Sequence, residues 1–302
     1  MIEKKDVTIT PLDLQRRLHI YLPDDYYQSK ETYPVMYMFD GHNLFYDEDA
    51  TYGKSWGLKE FLDQYDKKFI VVGLECNHEG NQRIVEFSPY TYSTHYWGMI
   101  KGKGAELMEW IVYELKPMID STYRTMPFRE CTGIGGSSMG GLMALYAIIK
   151  YNRFFSKAAC LSSAIFAGKD QLLHDLHNTK INADTRVYLS LGKKEANSNY
   201  LHQQRLYDNM VFSNYFKDIG ATSMLNVIED GKHDESSWEK ENKIYFDLIK
   251  IIYVFLTIFL YLPKCPQSLI LSALRAFCFC GKPRISRSIF LYFPCQSWLK
   301  SW

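Results

Sequence analysis

Several things are scarce in this 302-residue chain, and each scarcity excludes a class of protein. There is no excess of one charge: 35 Lys and Arg stand against 34 Asp and Glu, a formal net of +1. A nucleic-acid binder usually carries a basic surplus, so that class is not expected. No hydrophobic run reaches the roughly 20 residues of a membrane span; the longest uncharged apolar stretch is residues 251–262, IIYVFLTIFLYL. The N-terminus, MIEKKDVTITPLDLQRR, lacks the apolar core and small-residue cleavage site of a secretory signal. Cys76, Cys131 and Cys160 are widely dispersed, as in a chain with unpaired thiols in a reducing compartment. The expected localisation is therefore cytoplasmic. No cysteine has metal-ligand spacing, and Cys278 and Cys280 are too close together for a zinc knuckle; the expectation is no metal. Internal repeats and low-complexity tracts are absent as well.

The near-neutral total conceals two unlike parts. From residue 248 to the C-terminus there are seven Lys or Arg and no Asp or Glu, which leaves −6 for residues 1–247. Four of the seven cysteines, Cys265, Cys278, Cys280 and Cys295, also fall in this end. The chain is accordingly expected to divide into a domain over residues 1–250 and a basic, Cys-rich apolar tail over 251–302. A membrane-surface anchor, a partner-binding extension and a frameshifted end are the open readings of that tail.

Within the first part, short apolar runs alternate with amphipathic segments. Residues 17–22, 35–39, 69–74, 157–162, 186–191 and 223–228 read as strands, with 132–135 the end of another. Residues 57–65, 105–123, 139–151 and 199–219 read as helices, and a last helix begins at Ser236. Leu107, Trp110, Ile111 and Leu115 form one apolar stripe on the second of these, which Pro117 is expected to kink. Gly220 stops the 199–219 helix. Such alternation predicts an α/β fold, a mostly parallel central sheet with helices on both faces.

The most informative stretch is residues 132–142, TGIGGSSMGGL. It contains Gly136-Ser137-Ser138-Met139-Gly140, the pattern G-x-S-x-G between an apolar strand and a helix. That pattern builds a sharp turn on which the serine hydroxyl projects above the sheet, while the first amides of the helix favour a developing oxyanion. A dinucleotide-binding loop does not fit, because its third glycine would fall at Ser138. A glycine-rich turn without chemistry remains open from these residues alone. A serine nucleophile needs a base, and the base an orienting acid, in chain order serine, acid, histidine. Of the later histidines, His174, His177 and His202 lie in polar helical segments and read as solvated, whereas His233 follows the last strand. Glu195, just after the 186–191 strand, is the best-placed acid; Asp184, Asp208 and Asp218 fall before the strand or in the next helix. Gly41 and His42, after the 35–39 strand, offer a second oxyanion donor beside the amide of Met139, although an ordinary Asp-Gly turn reads the same way.

Taken together these residues resemble the putative-esterase family of α/β-hydrolases, which includes esterase D, feruloyl and acetyl-xylan esterases and enterochelin esterases. The matching stretches are Tyr21-Leu-Pro, Met38-Phe-Asp-Gly-His-Asn-Leu-Phe45, Arg83-Ile-Val-Glu-Phe-Ser-Pro89, residues 114–125, Gly135-Gly-Ser-Ser-Met-Gly-Gly141 and Gly231-Lys-His-Asp-Glu-Ser-Ser-Trp238. They span roughly residues 15–245 in family order. The resemblance implies an α/β-hydrolase fold with Ser138 as nucleophile, His233 as base and Glu195 as acid. Met139, Gly41 and His42 would form the oxyanion hole, and no metal or organic cofactor would be required. The implied activity is hydrolysis of a small or carbohydrate-linked acyl ester through an acyl-enzyme. An acyltransferase, a thioesterase of the S-formylglutathione hydrolase kind, or a non-enzymatic binding protein on the same scaffold are the alternatives. Aromatic residues, among them Phe45, Tyr52, Phe87, Tyr90, Tyr92 and Tyr96, are abundant near the early loops. Asn43, Trp56 and Trp97 stand as the candidate substrate contacts.

Overall fold

The computed structural model describes residues 1–94 and 98–249. Eight strands form one sheet in the order β1 (Ile2–Ile9), β2 (Leu14–Tyr21), β4 (Ile70–Leu74), β3 (Val35–Phe39), β7 (Thr132–Ser137), β8 (Lys157–Leu161), β9 (Arg186–Gly192), β10 (Thr222–Ile228). The β1/β2 and β2/β4 pairs are antiparallel and every other neighbouring pair is parallel. A small antiparallel pair, β5 (Tyr92–Thr94) and β6 (Gly98–Ile100), stands apart from it. The expected α/β architecture is therefore the observed one.

Every residue of β3, β4, β7 and β8 is buried. That is why β3 and β4, VMYMF and IVVGL, read as unbroken apolar runs: helices cover both faces of the sheet, so neither face needs polar side chains. Alternation along the strands divides the core in two. Val35, Tyr37, Phe39, Ile70, Val72 and Leu74 face one layer, with Leu107, Ile119, Leu142, Ile148, Leu172 and Phe212. These last come from α3 (Gly104–Trp110), α4 (Lys116–Thr122), α5 (Met139–Lys150), α6 (Lys169–Asn178) and α7 (Asn199–Asp218). Met36, Met38 and Val71 face the other, with Leu58, Leu62, Trp238 and Phe246. These belong to α1 (Leu58–Gln64), α8 (Glu235–Glu239) and α9 (Asn242–Ile249). Each large apolar side chain so buried contributes about 1.5–3 kcal/mol.

Three local expectations differ from the structure. β1 was not foreseen. Its residues, IEKKDVTI, are half charged because it is the sheet's edge, where polar side chains meet water. The helix expected over 105–123 is α3 and α4 joined by a π turn, Ile111–Leu115. Pro117 lies at the start of α4 and has no N–H to close the regular ladder on the preceding turn. The closing helix is two, α8 and α9, with α2 (Gln82–Glu86) a further short helix before β5. Gly220, at φ 86°, ends α7 as expected.

All of these elements fall within one compact unit. Among the described residues, no helix is long and apolar enough to cross a membrane. The expected tail over 251–302, including the apolar run, lies outside the described residues.

Candidate active site

Ser138 sits between β7 and α5 with φ 56° and ψ −118°. A non-glycine residue in that region costs on the order of 1–3 kcal/mol and persists only where its surroundings hold it. They do so here by three backbone bonds. Ser138 N donates to Leu161 O at 3.0 Å, and Ser138 O accepts from Leu142 N at 3.0 Å and Ala164 N at 2.9 Å. The turn is so sharp that a Cβ on Gly136 would lie 2.8 Å from the Gly140 carbonyl carbon, and one on Gly140 2.9 Å from Phe39 Cβ. This is the packing reason for glycine at both ends of G-x-S-x-G. Every residue of α5 except its last is buried, and Ser138 itself is half-buried. The N–H groups of the first turn, Met139 included, have no partner within the helix and form its positive end.

Glu195 follows β9 and His233 follows β10, and the two meet. His233 Nδ1 lies 3.0 Å from Glu195 Oε2, while Glu195 Oε1 accepts from Ser162 Oγ at 2.6 Å and from Gly192 N at 2.6 Å. The Glu195 side chain is 2% exposed and that of His233 is 40% exposed. Burial pushes the Glu195 carboxyl upward, but the hydrogen bonds from His233, Ser162 and Gly192 outweigh it and hold the group below its ordinary range. An ionised carboxylate on Nδ1 leaves Nε2 as the free face of the ring, the geometry a base on a serine requires. The ring edge packs on Trp238, 5.2 Å between centroids.

Ser162 ties this pair to the serine turn. It follows β8 at φ 45°, and its amide donates to Ser190 O at 3.0 Å. Its Oγ accepts from Trp238 Nε1 at 2.8 Å while donating to Glu195. Leu161 and Ala164, on either side of it, are the residues that bond the Ser138 backbone. One short segment therefore holds both Ser138 and Glu195. Sequence reasoning passed over Ser162; its only signal was its place at a strand end, level with the serine turn.

The turn after β3 carries the other candidates. Asp40 has φ 57°, Gly41–Asn43 form a single 3-10 turn, and Asn43 N donates to Asp40 O at 2.9 Å. A Cβ on Gly41 would fall 2.4 Å from the Gly73 carbonyl carbon, so only glycine lets the turn lie against β4. A Cβ on Gly140 would also lie 3.3 Å from Asp40 Oδ2. The Asp40–His42 turn is thus beside the first turn of α5, and the amides of Gly41, His42 and Met139 belong to one end of the sheet. Arg83 clamps the turn from α2, with Nε on Asp40 Oδ1 at 2.7 Å and Nη2 on Oδ2 at 2.8 Å. Burial raises Asp40, and the Arg83 charge and hydrogen bonds more than reverse it, so its carboxyl stays below the ordinary range. This clamp accounts for Arg83 within the Arg83–Pro89 stretch. His42 is buried, and burial lowers it to about 4, against the pull of Asp40.

Asn43 Oδ1 accepts from Thr51 N at 2.9 Å and its Nδ2 reaches Glu235 Oε1 at 3.4 Å, joining this turn to the loop of His233. Trp56 is placed differently from a pocket wall. It is 1% exposed, its amide donates to Asn43 O at 2.8 Å, and its ring lies 5.6 Å from Trp238 in the core. Phe45 and Phe87 are likewise core residues, whereas the Tyr52 ring is 82% exposed. Trp97, with Tyr96, lies outside the described residues. Of the three histidines read as solvated, His202 is instead buried, on the inner side of α7.

A family model described as "Putative esterase" matches residues 10–241. The chain is 25% identical over 187 residues to the uncharacterized protein YbbA of Bacillus subtilis, a match covering 60% of this chain and 69% of that one. It is 28% identical over 153 residues to Esterase MT1326 of Mycobacterium tuberculosis, covering 51% of this chain but only 30% of that longer protein. Among solved structures, an IroE-like serine hydrolase from Shewanella oneidensis superposes with a TM-score of 0.66 at 21% identity, covering 84% of this chain and 81% of that one. That structural likeness carries the fold.

Proposed function

The chain belongs to the putative esterase family and is a carboxylic ester hydrolase, and on that premise we propose that Ser138, His233 and Glu195 are its catalytic triad. The observation that carries the reading is the His233–Glu195 pair, tied through Ser162 to the segment that holds the strained Ser138 turn.

The reaction follows from these positions. Glu195, ionised and buried, keeps the proton of His233 on Nδ1 and stabilises the imidazolium that forms when Nε2 takes the Ser138 proton. The serine oxygen attacks the ester carbonyl. The amide of Met139 and those of the Gly41–His42 turn receive the oxyanion, each such donor contributing about 3 kcal/mol to the transition state. Because these amides are held by Arg83, by Gly73 and by the start of α5, they need no reorganisation as charge develops. His233 then protonates the departing alcohol, and water activated by the same ring releases the acid from the acyl-enzyme. The substrate is a small or carbohydrate-linked acyl ester. Tyr52, exposed and next in the chain to Thr51, whose amide donates to Asn43 Oδ1, supports a sugar or aromatic contact.

Ser138→Ala should reduce p-nitrophenyl acetate hydrolysis by on the order of 10⁴-fold or more with the circular dichroism unchanged. Turnover within tenfold of the wild type in a folded Ser138→Ala protein would sink the assignment.

A further inference from the structure

Beside the site described above, β3 and β4 bring together three side chains that the proposed reaction does not employ. The strands run parallel with Phe39 opposite Leu74, so the residues just past them, His42 on one and Cys76 and His78 on the other, reach the same end of the sheet. One donor atom from each of these three residues lies within 4.8 Å of the others. His42 and Cys76 are buried and His78 is exposed, which gives the cluster a protein floor and an open side.

The His42 ring is set up as a ligand. Its Nε2 lies 2.9 Å from Thr51 Oγ1, and its Nδ1 is buried with no hydrogen-bond partner among the described residues. A ligating imidazole characteristically has its second nitrogen bonded to an outer partner, which selects the tautomer and orients the ring. An unpartnered buried ring nitrogen otherwise costs about 1–3 kcal/mol. His78 Nε2 lies 3.8 Å from Glu75 Oε2, an ion-pair separation rather than a hydrogen bond. The rings of His42 and His78 are in contact, 4.6 Å between centroids. Glu75 thus sets a carboxylate at the border of the cluster, which favours a cation.

We propose that His42, Cys76 and His78 bind one borderline-soft divalent ion, with Zn²⁺ the best match. Two imidazole nitrogens and a thiolate are a donor set that zinc takes at about 2.0–2.3 Å, and three protein ligands leave the fourth tetrahedral position to water. On binding, the Cys76 S–H bond breaks, its proton passes to bulk water and the S–Zn bond forms. Closing donors now up to 4.8 Å apart to tetrahedral spacing needs a small movement, which the exposed His78 side chain can supply. The site does not depend on the esterase reading.

The test titrates metal-free full-length protein with Zn²⁺ by calorimetry, in a background with Ser at Cys265, Cys278, Cys280 and Cys295. One equivalent should bind, and Co²⁺ in its place should show thiolate-to-cobalt charge transfer and the intense visible bands of tetrahedral cobalt. His78→Ala, at a side chain 53% exposed, should leave the melting temperature unchanged and weaken zinc by about 10–100-fold or more, since even an outer-shell partner is worth that much. Cys76→Ser should abolish the charge-transfer band. No stoichiometric zinc in the background protein, unchanged affinity in His78→Ala, or a cobalt spectrum without the thiolate band would each overturn the site. If Cys76→Ser fails to fold, His78→Ala alone decides the matter.

Discussion

Ser162 joins the two halves of the proposed triad, so removing its hydroxyl should be felt well beyond its size. Ser162→Ala deletes the 2.6 Å bond to Glu195, an ionised acceptor, and hydrogen bonds to charged groups contribute about 1.5–3 kcal/mol. It also strands Trp238 Nε1, whose acceptor at 2.8 Å is the same oxygen. A buried donor without a partner costs a further 1–3 kcal/mol or so. Alanine at φ 45° is no less strained than serine, so the backbone contributes nothing to the difference. The sum is roughly 2.5–6 kcal/mol. At about 2–4 °C per kcal/mol for a domain of this length, the melting temperature should fall by about 5–24 °C. The assay is a reversible thermal melt by circular dichroism or calorimetry, with a double-mutant cycle. Trp238→Phe removes the stranded donor, so the double variant should be less destabilised than the sum of the singles by about 1–3 kcal/mol. A fall of less than 2 °C in Ser162→Ala, or strict additivity in the cycle, would refute the reasoning.

Other expectations concern the charged groups around the sheet's end. Glu195→Gln preserves the shape of the acid but not its charge, and should lower kcat by on the order of 10³–10⁴-fold with KM little changed, measured on p-nitrophenyl acetate. Because the Glu195 carboxyl is held below its ordinary value, its stabilising contribution is present above the ordinary carboxylate range and is lost as pH falls through its folded-state value. Melts of Glu195→Gln should be flatter on the acid side than those of the wild type. Glu241 has the opposite sign. Burial pushes it from 4.5 up to about 7, although Tyr188 Oη donates to it at 2.6 Å. Between those values the folded protein keeps a proton that the unfolded chain has released, so the wild type loses stability as pH rises from 4.5 to 7. Glu241→Gln removes that loss, and its advantage over the wild type should grow across the window to about 3 kcal/mol and then level off. A constant difference at all pH values would contradict this account of Glu241.

The parts legible in the sequence were those whose physics is local. Buried parallel strands carry apolar side chains on both faces, and so residues 35–39 and 157–161 declared themselves. The serine turn is local as well, a strand end, glycines and a helix start in succession. Chain order then singled out His233 and Glu195. What escaped depends on contacts between distant residues. Ser162 and Trp238 are 76 positions apart, and Arg83 meets Asp40 across 43. β1 is concealed because an edge strand is free to be charged. Trp56 could not be placed by composition, since a tryptophan in the core and one on a pocket wall are the same letter. The His42, Cys76 and His78 cluster shows the same limit for metal motifs. Ligand spacing is read along one segment, whereas here two neighbouring parallel strands set the donors side by side.

The central claim is that Ser138 forms the covalent intermediate. The most direct measurement is to treat the protein with a fluorophosphonate, digest it and locate the adduct by fragment-resolved mass spectrometry, which separates Ser138 from Ser137. A single stoichiometric adduct is expected on Ser138, absent from Ser138→Ala and formed at least about 10²-fold more slowly in His233→Ala. An adduct on another serine, or none on a protein that still hydrolyses esters, would contradict it.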